Sequence, residues 1–582
     1  MTNNWILHPF SEKELREGSR IAKELRLSPV VGHLLARRGI SSAEEAKRFF
    51  RPSLDDLHDP FLMKDMDKAV ARLNKAIGRK EKILIYGDYD VDGTTAVALV
   101  YKYLRTVGCS DNSLDYYIPD RYDEGYGISY RGIEYAHKWG AKLIIVLDCG
   151  IKAVEKIAYA KSLGIDFIVC DHHNPDEALP DAVAVLDAKR KDNTYPFEHL
   201  SGCGVGFKFM QAFALDNGFS IEELCRNLDL LAVSIASDIV PVIGENRILA
   251  YYGLKRLNQT PSLGLKAIIK MSGLESNHID MSDIVFKIGP RINASGRMMN
   301  GREAVELLLA NDRETAKRCC TTIDNYNDQR RELDKSTTDE AIAIVESDPE
   351  YTKHKIIVLY KQDWHKGVIG IVASRLTERY NRPTIVLTKS GEYISGSARS
   401  VDVFDIYKAI ESCRDILVNF GGHTYAAGLT LSEKDLPRFT KQICDFADNS
   451  LEEHQMRPSI DIDAEIELAD VTPKLLRDLK KMSPFGPENS KPYFKVSNVY
   501  DSGTSKKVGK ASEHLKLDLT DAFRRVGPIK GIAFRQAKHM EMIQRNRPFD
   551  LCFTVEENFF NGSSSMQMLV HDISTITSDE AK

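Results

Sequence analysis

The sequence predicts an α/β protein of several domains, and three observations carry that expectation. From about residue 80, short aliphatic and β-branched runs alternate with amphipathic stretches of helical period, the pattern of a parallel sheet buried on both faces. The 47 positions between Gly301 and Pro349 hold neither glycine nor proline, as a long helix requires. The 582 residues are 43% hydrophobic and 28% charged, ordinary for soluble globular chains, and their number suggests about four domains. That composition excludes disordered, collagen-like and disulfide-stapled chains. The ten cysteines form no CxxC pair, and Cys319 and Cys320 are neighbours; they read as buried thiols of a reducing cytoplasm. The start lacks the basic and apolar stretches of a signal peptide, and no 18-residue apolar run exists. A cytoplasmic protein without a membrane partner is expected.

Taken in order, residues 20–60 read as helices broken by Pro29, Gly39 and Pro52, giving a helical cap over 1–75. The unit 76–311 carries the buried-strand runs Ile83-Leu-Ile-Tyr86, Leu114-Asp-Tyr-Tyr-Ile118, Leu143-Ile-Ile-Val-Leu147, Phe167-Ile-Val-Cys170 and Val183-Ala-Val-Leu186. Ala316, Cys319, Ile323 and Tyr326 recur at three- and four-residue steps. They predict a short helix and then a long one over 313–346, within a bridging segment 312–348 of roughly 50 Å. A pair of helices broken near Ser336-Thr337-Thr338 fits the same residues. A smaller α/β unit, 349–455, restarts with Ile356-Ile-Val-Leu359 and Thr384-Ile-Val-Leu387 around a helix near 367–378. In 456–582, alternating stretches such as Leu515-Lys-Leu-Asp-Leu519 and Leu551-Cys-Phe-Thr-Val555 predict a small antiparallel barrel or sandwich.

The net charge of −5 is unevenly spread: Lys474 to Arg547 holds 17 Lys and Arg against 7 Asp and Glu, so the remainder carries −15. An acidic body with a basic module touching phosphates fits this asymmetry, as does a merely solvated basic face.

The acidic chemistry begins at Asp88-Tyr89-Asp90-Val91-Asp92-Gly93, directly after the first strand. A calcium EF-hand is excluded, because its twelfth position is Leu99 where a bidentate Glu is needed, and a strand precedes it. Two further strands end in Asp148-Cys149-Gly150 and Asp171-His172-His173, and a helical stretch carries Ser237-Asp238. A lone aspartate there is ordinarily a helix N-cap. Three strand ends with carboxylates or imidazoles on one sheet edge would repel unless cations sit between them, and the donor set suits Mn²⁺ or Mg²⁺.

These residues resemble the DHH phosphoesterase superfamily, and within it the RecJ single-strand-DNA exonucleases. Asp120-Arg-Tyr-Asp-Glu-Gly-Tyr-Gly127, Gly289-Pro-Arg-Ile-Asn-Ala-Ser-Gly-Arg297, Trp364-His-Lys-Gly-Val-Ile-Gly370, Gly421-Gly-His423 and Ser483-Pro-Phe-Gly-Pro-Glu-Asn489 are similar to further motifs of that family, in order over about 25–575. The resemblance implies a DHH catalytic domain, a bridging helix, a DHHA1 domain and a C-terminal OB-fold. It implies metal ligands at Asp88, Asp90, Asp92, Asp148, His172 and Asp238, holding two divalent cations, Mn²⁺ in preference to Mg²⁺. Other branches have a histidine where this chain has Tyr86. His173 should face the scissile phosphate, with Asp171 orienting the imidazoles. The implied activity is 5′ to 3′ hydrolysis of single-stranded DNA to 5′-mononucleotides. Arg121, Arg291, Asn293, Arg297, Ser397, Arg399 and His423 are its candidate substrate contacts, against the ordinary reading of any one arginine as a surface ion pair. Lys491, Lys495, Lys506, Lys507, Lys510 and Lys516 among Tyr493, Phe494 and Tyr500 would make a single-strand platform, with some of those aromatics filling the core instead. A RecQ-type helicase and single-strand-binding protein are implied partners of a monomer, and an extra C-terminal docking domain is not expected. Rival readings are a phosphodiesterase for short oligonucleotides or cyclic dinucleotides and a non-catalytic replication scaffold. The basic third unit counts against the first, and the intact aspartates and histidines against the second.

Overall fold

The apolar runs after residue 80 become five parallel strands in the order Leu114–Tyr117, Lys82–Gly87, Ala141–Leu147, Asp166–Cys170, Ala184–Leu186. The computed structural model describes residues 3–275, 278–545, 547–560 and 563–574. Leu84, Ile85, Ile144, Ile145 and Val169 are fully buried because helices cover both faces of this sheet. From Lys82–Gly87 the chain crosses first to Leu114–Tyr117 on one side and then to Ala141–Leu147 on the other. That reversal opens a crevice beyond the C-terminal ends of the two central strands, where open α/β sheets bind ligands.

The helix Arg313–Ser347 is continuous through Ser336-Thr337-Thr338, so the alternative of a broken pair does not hold. Its N-cap Asp312 accepts from the Thr315 amide, and Thr337 and Thr338 are buried rather than loop residues. Its last turns bury Ala341 and Val345 against Ile357, Leu359, Val372 and Leu376 of the smaller lobe. That lobe has the strand order Leu417–His423, Ala426–Leu431, Tyr393–Arg399, Thr384–Ser390, Ile357–Tyr360, antiparallel except for its last pair. The parallel sheet, bridging helix and smaller lobe belong to one compact unit, Leu57–Arg457.

The second unit combines Met1–Asp56 with Pro458–Lys582. Here the structure differs from a cap spanning 1–75. The first strand, Asn4–Leu7, pairs in parallel with Ser459–Ile462, and Ile21, Leu34 and Leu35 share one core with Leu475, Leu479, Phe494 and Phe549. The helix Met66–Gly78 instead packs in the 57–457 unit. Five strands of this second unit run Phe494–Asp501, Phe549–Phe560, Ser563–Ser574, Ile529–Ala533, His514–Thr520. The pairs Tyr500 to Thr520 and Asp501 to Leu519 close them into a barrel. One parallel pair, Ile529–Ala533 beside Ser563–Ser574, gives the ring the OB-fold order.

Candidate active site

The carboxylates of the site are presented by distinct local devices at strand and helix ends. Asp90 caps the helix Val91–Thr106, its Oδ1 accepting from the Gly93 amide at 3.0 Å. Asp92, one turn in, faces the N-terminus of the helix Gly202–Asn217. It accepts from the amides of Gly202 (2.6 Å) and Cys203 (2.8 Å) and from Ser234 Oγ (2.7 Å). Asp148 adopts φ 61° after its strand, and Gly202 lies so close that a Cβ there would stand 2.5 Å from the Asp148 Cβ. Asp238 ends the helix Leu228–Ser237. Asp88 is buried, accepting from the Gly127 amide at 3.2 Å. Tyr86 donates its hydroxyl proton to the Gly127 carbonyl and accepts from the Ser129 amide, so it holds the neighbouring loop and offers no ligand.

Burial, and then repulsion from neighbouring aspartates, pushes the Asp88, Asp148 and Asp238 carboxyls well above the usual range and Asp92 up to about 6. His172 stands among them: its Nε2 is 3.1 Å from Asp148 Oδ1, 3.6 Å from Asp238 Oδ2 and 3.8 Å from Asp92 Oδ2. Neither ring nitrogen has a hydrogen-bond partner. Burial, then the neighbouring His173, lowers its pKa to about 3, so the ring is neutral. A buried neutral imidazole without a hydrogen bond, facing carboxylates that resist ionising together, fits a divalent cation. Two triads of donor atoms share it: Asp148, His172 and His173, and Asp92, His172 and Asp238.

His173 is held differently. Its Nδ1 is 2.7 Å from Asp171 Oδ1, and the Tyr126 hydroxyl lies 3.2 Å from Nε2. Burial opposes its protonation, but the Asp171 hydrogen bond and charge outweigh it, so its pKa is raised. Asp171 is held well below the usual carboxylate range: burial would raise it, yet His173 and the Ile151 amide prevail. His423, from the smaller lobe, stacks parallel to His173 with centroids 6.4 Å apart, and burial lowers its pKa.

Beside the carboxylates lies an excess of cations. Arg297 is half-buried, and its pKa is pushed down to about 9 by desolvation and then by Arg121, Arg330 and Arg399. Arg399 donates to Ser397 Oγ at 3.1 Å, and Arg121 lies over the Tyr89 ring at 5.0 Å. Asn293 is half-buried on the helix Gly289–Met298 that carries Arg297. Arg291, on the same helix, pairs with Asp324 at 3.2 Å and donates to the Lys287 carbonyl, so the structure gives it a partner outside the cluster. Three residues escaped the sequence reading. Arg330 joins from the middle of the bridging helix, where its local pattern is that of any solvated charge. Lys366, repelled by Arg121, lies inside the Trp364 to Gly370 motif. Asp187, fully buried with an unpartnered Oδ2, follows the fifth strand, Ala184–Leu186, and obeys the same strand-end rule as its neighbours.

In the barrel unit, Phe494 is core and Tyr493 packs on His571 at 4.6 Å, so neither is a free stacking face. Lys495 pairs with Glu465 and Lys491 with Glu556. The outward face is elsewhere. The registers Lys506 to Lys516, Val508 to His514, Lys516 to Ile532 and Asp518 to Lys530 put Lys506, His514, Lys516, Lys530 and Ile532 on one surface. Phe534, 57% exposed, adds its ring edge-on to His514 at 5.1 Å.

A parallel α/β sheet whose strand ends gather aspartates around a histidine pair, joined by one helix to a second lobe, defines a phosphoesterase of the DHH class. The chain matches the DHH family N-terminal domain over residues 82–235, the DHHA1 domain over 353–449 and the RecJ OB domain over 462–572. It is 36% identical to the single-stranded-DNA-specific exonuclease RecJ of Bacillus subtilis, over 95% of this chain and 69% of that one. Identity to the Escherichia coli protein of the same name is 31%, over 96% and 98%. The crystal structure of Thermus thermophilus RecJ in complex with Mn²⁺ has the same fold, at TM-score 0.83 and 24% identity, over 99% of this chain and 80% of that one. The chain belongs to the RecJ family.

Proposed function

We propose that the chain is a single-strand-specific DNA exonuclease that removes 5′-mononucleotides in the 5′ to 3′ direction. The observation that carries this reading is the adjacency of two opposite clusters. Carboxylates surround the unpartnered His172, while the half-buried Arg297 stands among Arg121, Arg330 and Arg399. The first suits cations, the second a phosphate anion. Tyr89 joins them, since it stands between Asp88 and Asp90 in the chain and carries the Arg121 guanidinium 5.0 Å over its ring.

Asp88, Asp90, Asp92, Asp148, His172 and Asp238 would hold two divalent cations, Mn²⁺ in preference to Mg²⁺. Such ions supply an acidified water and counter-charge for the phosphodiester. Asp171 fixes His173 through Nδ1, which leaves Nε2 beside the Tyr126 hydroxyl as the ring's second polar atom and aims it at the scissile phosphate. Arg121, Arg297 and Arg399, with Ser397, would bind the terminal 5′-phosphate, so the first internal phosphodiester meets the carboxylates. Partial withdrawal of these arginines from solvent lets each count for more than it would in water. His423 closes the other side. The barrel face of Lys506, Lys516, Lys530 and Phe534 would hold the trailing strand by charge and stacking.

The test is Mn²⁺-dependent digestion of a 3′-labelled single-stranded oligonucleotide, with and without a 5′ block. Progressive shortening that the block abolishes is the expected outcome. Activity restricted to dinucleotides would move the chain to the small-nucleotide branch. Tight strand binding without hydrolysis would make it a scaffold.

A further inference from the structure

At Gly367 the two lobes of the 57–457 unit meet without room for a side chain. A Cβ there would stand 2.6 Å from the Arg297 carbonyl oxygen, 2.8 Å from Tyr122 Oη and 3.0 Å from His365 Cε1. The first is backbone, so the neighbour cannot swing aside as a side-chain tip would. Three contacts tie the same spot. Arg297 Nη1 donates to the Gly367 carbonyl at 3.2 Å, and the Tyr122 hydroxyl donates to the Arg297 carbonyl. The Tyr122 and His365 rings meet edge to face at 6.0 Å. Arg297 stands in the last turn of its helix, where carbonyls lack partners within the helix, and Tyr122 satisfies one from outside.

Three residues on, the same segment makes a second close approach. A Cβ at Gly370 would lie 2.9 Å from Ser397 Oγ and 3.1 Å from Arg399 Nη2. One short segment therefore presses on Arg297 of the catalytic lobe with one glycine, and on Ser397 and Arg399 of the smaller lobe with another.

We infer that Gly367 is a positioning residue whose missing side chain lets the lobes close until Arg297 and Arg399, which come from different lobes, face a single 5′-phosphate. A methyl group at Gly367 forces its backbone away from the Arg297 carbonyl. The two guanidinium groups then separate by a distance that spoils shared hydrogen bonding to one anion. The inference rests on reading the cation cluster as the 5′-phosphate pocket. It assigns Gly367 to substrate capture rather than to the chemical step.

The experiment compares 3′-labelled single strands carrying a 5′-phosphate or a 5′-hydroxyl, digested with Mn²⁺ by the full chain and by Gly367→Ala and Tyr122→Phe. For the unsubstituted chain, KM should be lower with the phosphate. Gly367→Ala should raise KM for the phosphorylated strand about tenfold, move it less than about twofold for the hydroxyl strand, and lower kcat less than about threefold. Tyr122→Phe keeps the ring against His365 but abandons the Arg297 carbonyl, and should give the same change in smaller measure. An unchanged ratio of the two KM values in Gly367→Ala overturns the inference. Should that variant not fold, an unchanged ratio in Tyr122→Phe overturns it. If the unsubstituted chain ignores the 5′-phosphate, the pocket reading fails and the inference falls with it, whether or not the strand is hydrolysed.

Discussion

Asp148 holds a left-handed backbone at φ 61°, which costs a non-glycine residue about 1–3 kcal/mol. Its amide stays paired with the Cys170 carbonyl, and its own carbonyl accepts from the Tyr126 hydroxyl. The conformation turns the carboxylate toward His172 instead of out along the strand. Neutralising it should separate stability from function. Asp148→Asn is expected to lower kcat by about three orders of magnitude, with single-strand affinity changed less than about threefold. The same variant should melt higher than the unsubstituted chain in chelator, because one of several mutually repelling carboxylates is gone, and should gain less from added Mn²⁺. Differential scanning calorimetry with EDTA and with Mn²⁺ reads both effects; a lower melting temperature in EDTA would contradict the repulsion. At this scale the sequence was informative wherever a residue's position follows from its place beside a strand. Asp88, Asp148 and His172 could be named because each follows a run of buried β-branched residues. Arg330 could not, since only the packing of the long helix turns it into the cluster.

The barrel strands show how register decides what a basic segment can do. Alternation puts Leu515, Leu517 and Leu519 inside and His514, Lys516 and Asp518 outside, and pairing with Ile529–Ala533 lines Lys516 up with Ile532. Composition leaves the aromatic sequence neighbours Tyr493 and Phe494 open to either stacking or core roles, and Phe494 falls on an inward position of its strand and is fully buried. Phe534 gave no signal because its role depends on a cross-strand partner twenty residues away. Phe534→Ala should weaken single-strand binding by about 1–3 kcal/mol, measured by fluorescence anisotropy with a labelled oligothymidylate. Replacing Lys506, Lys516 and Lys530 together by alanine should make the slope of log K against log salt shallower by about 2, with activity on the shortest cleavable strands retained. An unchanged slope would return this face to plain solvation. The bridging helix was legible in its length, from 47 positions free of glycine and proline, and in its continuity only once Thr337 and Thr338 proved buried.

Across the whole chain, the feature furthest from sequence reasoning is that the first 56 residues complete the C-terminal unit. Contacts such as Ser28 with Asp478, 450 residues apart, have no local trace. Asp478 accepts from the Ser28 amide at 2.8 Å and from Lys481 (2.8 Å) and Lys474 (2.9 Å). Burial would raise its pKa, yet these donors outweigh burial and hold it at about 2, against 3.8 unperturbed. A depressed carboxylate stabilises the fold fully above its unfolded pKa and loses that contribution as pH falls through the folded one. Asp478→Asn should therefore destabilise this unit by about 2 kcal/mol at pH 7 and by about half as much at pH 3. Urea unfolding at both values, followed by Trp5 fluorescence in a background with Trp139 and Trp364 replaced by phenylalanine, checks the sign; a difference that grows toward pH 3 would contradict it. Trp5 is apt because its indole donates to Asp572 at 2.9 Å, joining the two ends of the chain. That closure also sets an order of events during synthesis. The N-terminal strand and helices leave the ribosome with no core to join, and must wait for about 400 residues to be translated, roughly 20–80 s at typical rates. For that interval Ile21, Leu34 and Leu35 are exposed apolar surface on a nascent chain, a natural point of attachment for a chaperone, while the catalytic unit behind them can already fold.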